Sequence, residues 1–98
     1  MDDLRTKLID TTDQRKAGAA MTFFEARMND GATLAALVEI ALEGEDAGDA
    51  PWAAANIIAE YPATLLKRHE AELRLIAAEQ WDYLNRPAKA ALAKIDAN

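Results

Sequence analysis

Apolar residues recur along the chain at intervals of three and four positions, the spacing that places side chains on one face of an α-helix. No alternating run of branched residues indicates a β-strand, and alanine, a strong helix former, occurs 23 times. We predict one helix for each of six apolar stripes: Leu4, Leu8 and Ile9; Ala17, Ala20, Met21, Phe24 and Met28; Leu34, Leu37, Val38, Ala41 and Leu42; Ala54, Ala55 and Ile58; Leu65, Leu66, His69, Leu73, Ile76 and Ala77; Ala88, Ala91, Leu92 and Ile95. The pattern therefore predicts an all-α protein of six helices.

The ends of these helices carry residues that commonly start or stop a helix. Short polar side chains accept hydrogen bonds from the first free N–H groups, and we predict N-caps at Asp13, Thr33, Asp49, Thr64 and Asn85. Gly31 and Gly44 are expected to end the second and third helices, and Pro62 the fourth. Pro51 and Pro87 fall in a predicted first turn, where the missing N–H costs nothing.

The segments repeat with a period of 36 residues. Aspartates, cap candidates and prolines coincide at this spacing: Asp10, Asp46 and Asp82; Asp13, Asp49 and Asn85; Pro51 and Pro87. We infer a single domain, residues 1–98, built of three helix pairs at about 1–30, 31–61 and 62–98. Because one pair cannot bury its apolar face alone, the pairs are expected to stack.

A helix rich in leucine, a turn with an aspartate and a helix rich in alanine make up each copy. The clearest copies are LAALVEIALEGEDAGDAPWAAANIIAEY and LLKRHEAELRLIAAEQWDYLNRPAKAALAKI, with a weaker one in MDDLRTKLIDTTDQRKAGAAMTFFEA. Together they cover nearly the whole chain and resemble HEAT/armadillo-like helical repeats. The resemblance implies a short right-handed α-solenoid of about three antiparallel helix pairs, whose second helices line one surface. An irregular helical bundle is the alternative.

Composition narrows the classes of partner. A net charge of -6 disfavours broad contact with a phosphate backbone, so we expect no nucleic-acid binding. The charged start MDDLRTKLID has no apolar signal core, and no stretch approaches the roughly 18 apolar residues that a membrane span requires. The absence of cysteine excludes disulfides and thiolate chemistry. These features favour a cytoplasmic protein that does not bind membranes.

Few residues suggest catalysis or metal binding. His69 is the only histidine, and its HEAE segment lacks the second histidine of a zinc protease motif, so we expect a packed, hydrogen-bonded side chain. The acidic loop with Glu43, Glu45, Asp46 and Asp49 lacks the residue order of a calcium loop and is expected to be a solvated turn. No catalytic triad or phosphate-binding loop is present. We therefore predict no enzyme, no metal and no cofactor.

One row of side chains is a candidate binding surface. Trp52, Asn56 and Glu60 are spaced i, i+4, i+8 and can either pack locally or face a groove that binds a partner. With Lys16 and Lys89 at the two ends of the surface of the second helices, an acidic peptide would suit that surface, although simple solvation explains both lysines as well. Trp81 and Tyr83 raise the same two alternatives: they bind a partner or cover the end of the core.

The function predicted from these features is a non-enzymatic protein-interaction or adaptor module of the HEAT-like type, binding a protein or peptide on its second helices. The alternative is a small acidic inhibitor such as an immunity protein or antitoxin, motivated by size, charge and the loop at residues 43–49. A homodimer through the terminal helices is a further expectation, through Leu4, Leu8 and Ile9 or through Leu92 and Ile95.

Overall fold

The computed structural model describes residues 2–97, and of Asp2, Asp3 and Glu45 it describes the backbone alone. The helices in this range are α1 (Asp2–Asp10), α2 (Ala17–Glu25), α3 (Gly31–Ala41), α4 (Asp49–Ile58), α5 (Ala63–Leu66), α6 (Glu70–Ala77) and α7 (Asp82–Ala97). Single turns of 3₁₀-helix lie at Glu45–Ala47 and Lys67–His69. No strand occurs within residues 2–97, so the prediction of an all-α protein is confirmed.

The fifth predicted helix is present in two parts. Its apolar stripe runs through α5 and α6, and the 3₁₀ turn Lys67–His69 separates them. His69 ends this turn and is half-buried, with its Nδ1 3.7 Å from a carboxylate oxygen of Glu72. The histidine predicted to pack against the fold therefore lies at its boundary, beside an acidic side chain.

The start of α3 differs from the prediction. Asp30 is the N-cap, and its carboxylate accepts hydrogen bonds from the N–H of Ala32 at 3.2 Å and the hydroxyl of Thr33 at 2.7 Å. The predicted cap at Thr33 is therefore wrong, because its hydroxyl donates to the true cap. Gly31 begins this helix rather than ending the preceding one. Gly44 adopts a φ of 81°, which confirms the predicted left-handed exit after α3.

Three other helices, α2, α5 and α7, do not begin at their predicted caps. Lys16 precedes α2, Pro62 precedes α5, and α7 begins at Asp82. Asp13 and Thr64 therefore do not cap, and Asp13 instead accepts the N–H of Arg15 at 2.9 Å in the preceding turn. The predicted cap at Asp49 is also wrong, because Asp49 is the first residue of α4 and Gly48 occupies the cap position with a φ of 87°.

Asn85 lies inside α7 instead of capping it. Its amide nitrogen donates to the carbonyl of Glu79 at 2.9 Å, and the residue is 8% exposed. The helix starts earlier because the carbonyl of Trp81 accepts from the N–H groups of Leu84 and Asn85. The matched residues of the 36-residue period therefore differ in position, since Asp49 begins its helix whereas Asn85 is the fourth residue of α7.

The helix α4 lies at the centre of the core. It packs against α1, α3 and α7, while α6 packs against α7. Alanine makes this possible, because small side chains let helix axes approach closely. The buried residues of α4 are Ala50, Pro51, Ala53, Ala54, Ala55, Ile57 and Ile58. The fold is compact, with a radius of gyration of 12.3 Å.

Two long-range contacts fix the C-terminal end of α4. Tyr61, fully buried, donates its hydroxyl to the carbonyl of Arg27 at 2.9 Å. The ammonium of Lys94 on α7 donates to the carbonyls of Ala59 at 2.9 Å and Tyr61 at 3.0 Å. These bonds satisfy carbonyls that a helix end leaves without intrahelical partners and tie three segments of the chain together.

The terminal helices bury much of the apolar surface that was expected to mediate a dimer. Leu8 is 0% exposed and Ile95 is 5% exposed, and both belong to the core. Leu4 and Leu92 are partly buried against it. Ile9, at 44%, is the most exposed of the five.

Among residues 2–97, every helix is too short or too polar to span a lipid bilayer.

Candidate functional site: an aromatic cleft

Three aromatic rings meet where the N-terminal ends of α4 and α7 lie side by side. Trp52 is in the first turn of α4, Tyr83 is in the first turn of α7, and Trp81 directly precedes α7. The rings of Trp52 and Tyr83 are 5.8 Å apart at an angle of 69°, an edge-to-face contact. The rings of Tyr83 and Trp81 are stacked at 6.3 Å with an angle of 24°. Tyr83 thus connects the two indoles.

Two of these three rings are exposed to solvent. Tyr83 is 60% exposed and Trp81 is 49% exposed, while Trp52 is half-buried. In contrast, Phe24 and Tyr61 are fully buried in the core. Trp81 and Tyr83 are thus far more exposed than the aromatic residues of the core. Adjacent exposed aromatic side chains of this size are typical of a surface that binds another molecule.

The rings line a cleft of about 580 Å³, which we call the aromatic cleft. Its lining is formed by Asp46, Gly48, Asp49, Pro51, Trp52, Trp81, Tyr83 and Leu84. Two further depressions adjoin it, one lined in part by Leu75 and Trp81 and the other in part by Trp81, Tyr83 and Arg86. Trp81 lines all three, and Leu75 beside it is 64% exposed. Trp81 therefore connects the aromatic cleft to a depression at the end of α6 that has both polar and apolar lining residues.

Local backbone features explain why the cleft forms. Gly48 lies directly before α4 and has a φ of 87°. Residues with a Cβ atom rarely adopt this conformation. Pro51 is tolerated in the first turn of α4 because its missing N–H has no intrahelical acceptor there. The early start of α7 places Tyr83 one residue into its first turn. Because α4 packs on α7, their first turns meet.

The charge of the aromatic cleft is negative. Asp46 and Asp49 line it, and neither forms an ion pair with any side chain that the structure describes. Asp82 lies next to it and is paired with Arg86 at 3.5 Å. Two helix N-termini supply about half a positive charge each. Two unpaired carboxylates outweigh that contribution, leaving about one net negative charge.

The rest of the acidic loop contributes less to this surface. Glu43 binds the guanidinium of Arg5 through both carboxylate oxygens, one of them accepting a hydrogen bond of 2.9 Å. This hydrogen bond holds the pKa of Glu43 below its usual value. The side chain of Glu45 lies outside the described residues. Among the side chains that are described, no group of three or more acidic or histidine residues is placed to hold a metal ion.

The side chains proposed from the sequence do not gather at one place. Trp52 lies in the aromatic cleft, but Asn56 is exposed and donates to the carbonyl of Trp52 at 3.2 Å, a bond within its own helix. Glu60 is exposed beyond the end of α4, and Lys89 is exposed on α7. Lys16 lies in the turn before α2, 3.9 Å from the carboxylate of Asp10. None of these four lines the aromatic cleft or its neighbours.

Sequence reasoning noted Trp81 and Tyr83 but placed both before the sixth helix. All three aromatic residues lie close to a predicted helix start, and this shared position could have indicated that they form one site.

Comparison with protein-family models, with curated proteins and with solved structures finds no match to this chain. The geometry of the aromatic cleft is therefore the basis for the functional proposal.

Proposed function

We propose that the chain is a non-enzymatic protein-interaction module that binds a protein or peptide partner at the aromatic cleft. The observation that carries this proposal is the continuous row of Trp52, Tyr83 and Trp81, with two of the three rings largely exposed. Tryptophan and tyrosine supply most of the binding free energy in many interfaces because they bury a large area with few rotatable bonds.

The arrangement of helices supports a repeat architecture for this module. The pairs α3/α4 and α6/α7 each pack together, and α4 packs on α7, so the second helices of two successive pairs are neighbours. We propose that these pairs form the second and third units of a short right-handed, HEAT-like α-solenoid. In that arrangement the aromatic cleft lies at one end of the surface formed by the second helices, where a partner was expected from the sequence.

The test compares two single substitutions in the purified chain. Trp81→Ala removes the ring that lines the cleft and both adjoining depressions, whereas Ile9→Ala removes an apolar side chain of similar exposure outside them. A partner is first captured with the wild-type chain, and its Kd is then measured by calorimetry. Since truncation of a central aromatic anchor costs about 2 kcal/mol or more, we expect Kd to rise roughly 30-fold for Trp81→Ala.

The control variant is expected to bind with the wild-type Kd. Circular dichroism would show that both variants keep the same helical content, which separates loss of binding from loss of folding. A partner whose Kd is the same for wild type and Trp81→Ala would remove the aromatic cleft as its binding site.

A small acidic inhibitor, such as an immunity protein or antitoxin, is the second candidate. The unpaired carboxylates of Asp46 and Asp49 favour it, since they give the cleft a negative charge suited to a basic enzyme. Inhibition of a captured enzyme should then be lost when both residues are changed to Asn. Full inhibition by that variant would eliminate this candidate.

A further inference from the structure

We propose that the aromatic cleft receives a cationic side chain of the partner, arginine in preference to lysine. This inference rests on the proposed function, because it assigns the chemistry of the group that the partner inserts. Two properties of the cleft lead to it: uncovered aromatic faces and unpaired carboxylates.

The aromatic faces are the first property. Elsewhere in the described chain, cations already cover an aromatic ring: the guanidinium of Arg27 lies 3.7 Å from the ring centre of Phe23, and the ammonium of Lys7 lies 5.6 Å from it. Among the residues described, no lysine or arginine lies over Trp52, Trp81 or Tyr83. Each cation–π contact at an exposed site raises affinity about 2- to 5-fold, and tryptophan is the best partner. The two tryptophans of the cleft therefore have no cation–π contact with a described lysine or arginine.

The carboxylates are the second property. Asp46 and Asp49 share the lining of the cleft with the rings, so a cation on a ring face is also close to a negative charge. A guanidinium is planar, stacks on aromatic rings and donates two parallel hydrogen bonds to a carboxylate, whereas an ammonium does none of these in a fixed geometry. This combination of partners is the reason for the preference for arginine.

An anionic ligand is the competing occupant, because the first turns of α4 and α7 line the cleft and a helix N-terminus has free N–H groups. Their combined charge of about +1 is smaller than the -2 of Asp46 and Asp49. Arg86, which lines an adjoining depression, is paired with Asp82 at 3.5 Å. An acidic group in the cleft would therefore meet net repulsion, so the cleft selects against the acidic peptide expected from the sequence.

The two indole N–H signals in a ¹H–¹⁵N NMR spectrum give a direct readout, because both tryptophans of the chain line the cleft. The full-length chain is titrated with four blocked amino acids: N-acetyl arginine amide and the corresponding derivatives of lysine, norleucine and glutamate. Norleucine is the matched control, since it retains the apolar stem of lysine without the charge.

We expect both indole signals to shift with arginine, with an affinity at least 5-fold higher than for norleucine and intermediate values for lysine. The Asp46→Asn and Asp49→Asn double variant should reduce the arginine affinity about 5-fold or more, and Trp81→Ala should do the same. Asp10→Asn, which removes a carboxylate outside the cleft, should leave it unchanged.

Equal shifts with norleucine and arginine, preferential binding of glutamate, or no response to arginine at 50 mM would overturn the inference. Its failure differs from failure of the proposed function. A partner that loses affinity with Trp81→Ala but inserts no cation would refute the cationic occupant alone, whereas a partner indifferent to Trp81 would refute the binding surface itself.

Discussion

The indole of Trp52 meets the phenol ring of Tyr83 edge to face, with ring centres 5.8 Å apart, across the junction of α4 and α7. The two residues are 31 positions apart in the chain. Their contact exists because α4 and α7 pack together with their N-terminal turns adjacent. It connects the half-buried surface of α4 to the exposed rings of Tyr83 and Trp81, and the proposed binding surface depends on it.

This ring contact should be measurable as a coupling free energy. Trp52→Ala, Tyr83→Ala and the double variant form a mutant cycle, with urea unfolding followed by circular dichroism. An edge-to-face aromatic pair contributes about 0.5–1.5 kcal/mol beyond burial, and we expect a coupling in that range. A coupling close to zero would mean that the rings are not in contact in solution.

The hydrogen bond from Tyr61 should contribute to stability. Tyr61→Phe removes the hydroxyl that donates to the carbonyl of Arg27 and leaves a partly buried carbonyl with one partner fewer. We expect the free energy of unfolding to fall by about 1–2 kcal/mol. Tyr83→Phe is the matched control, because its exposed hydroxyl can bind water instead. Equal effects of the two substitutions would contradict the buried position of Tyr61.

Tyr61 should also make stability depend on pH in the alkaline range. Burial first, and then the negative charge of Asp30, raise the pKa of Tyr61 from 10 to about 12. The folded state therefore holds this proton more tightly than the unfolded state, so the contribution is complete below pH 10 and is lost as the pH rises through 12. Between these values the wild type should lose stability faster than Tyr61→Phe. Parallel losses in both proteins would argue against the raised pKa.

Lys94 should stabilise the C-terminal end of α4. Lys94→Met keeps the apolar stem and removes the ammonium that donates to the carbonyls of Ala59 and Tyr61. We expect a loss of about 1 kcal/mol, since charged donors at a helix end also interact with its dipole. Lys89→Met is the control on the same helix, where the side chain is exposed. Chemical denaturation of both variants would check this, and equal midpoints would contradict it.

Asp30 should be needed for the start of α3. Asp30→Ala removes the acceptor for the N–H of Ala32 and the hydroxyl of Thr33, and we expect a fall in Tm of roughly 5 °C. Its hydrogen bond with Thr33 holds the pKa of Asp30 below the usual value. This contribution is present above the unfolded pKa of the carboxyl and is lost as the pH falls through the folded pKa. A Tm difference between wild type and Asp30→Ala that persists unchanged into strong acid would exclude Asp30 as the charged cap.

The helices could be predicted from the sequence because their signal is local. A stripe such as Leu34, Leu37, Val38 and Ala41 needs only the helical period to be read, and these residues are buried in α3 as expected. The role of Gly44 could be predicted in the same way, because a left-handed φ at a helix end favours glycine over other residues.

The helix starts were harder to predict, since several polar residues compete within one turn. Asp30 and Thr33 both suit a cap, and the structure uses the hydroxyl of Thr33 as a donor to Asp30. Asn85 suits a cap by residue type, yet it lies inside α7 and donates to Glu79 six positions earlier. That hydrogen bond depends on the conformation of the residues before α7, which a periodic sequence pattern does not predict.

The aromatic cleft could be predicted only in part. The sequence indicates Trp52 through its i, i+4, i+8 spacing with Asn56 and Glu60, but this grouping assumes that one helix face forms the site. The structure instead groups Trp52 with residues that follow α6. Exposure of Trp81 and Tyr83 depends on which neighbours cover them, and only tertiary packing determines that.

Hydrogen exchange of the complex with a captured partner would show directly whether the aromatic cleft is the binding site. The first-turn N–H groups of a helix lack intrahelical acceptors and exchange quickly in the free protein, so covering them produces a clear change. We expect slowed exchange in residues 46–55 and 80–88, with little change in α2 and α3. Protection confined to α2 and α3, with residues 46–55 and 80–88 unchanged, would contradict it.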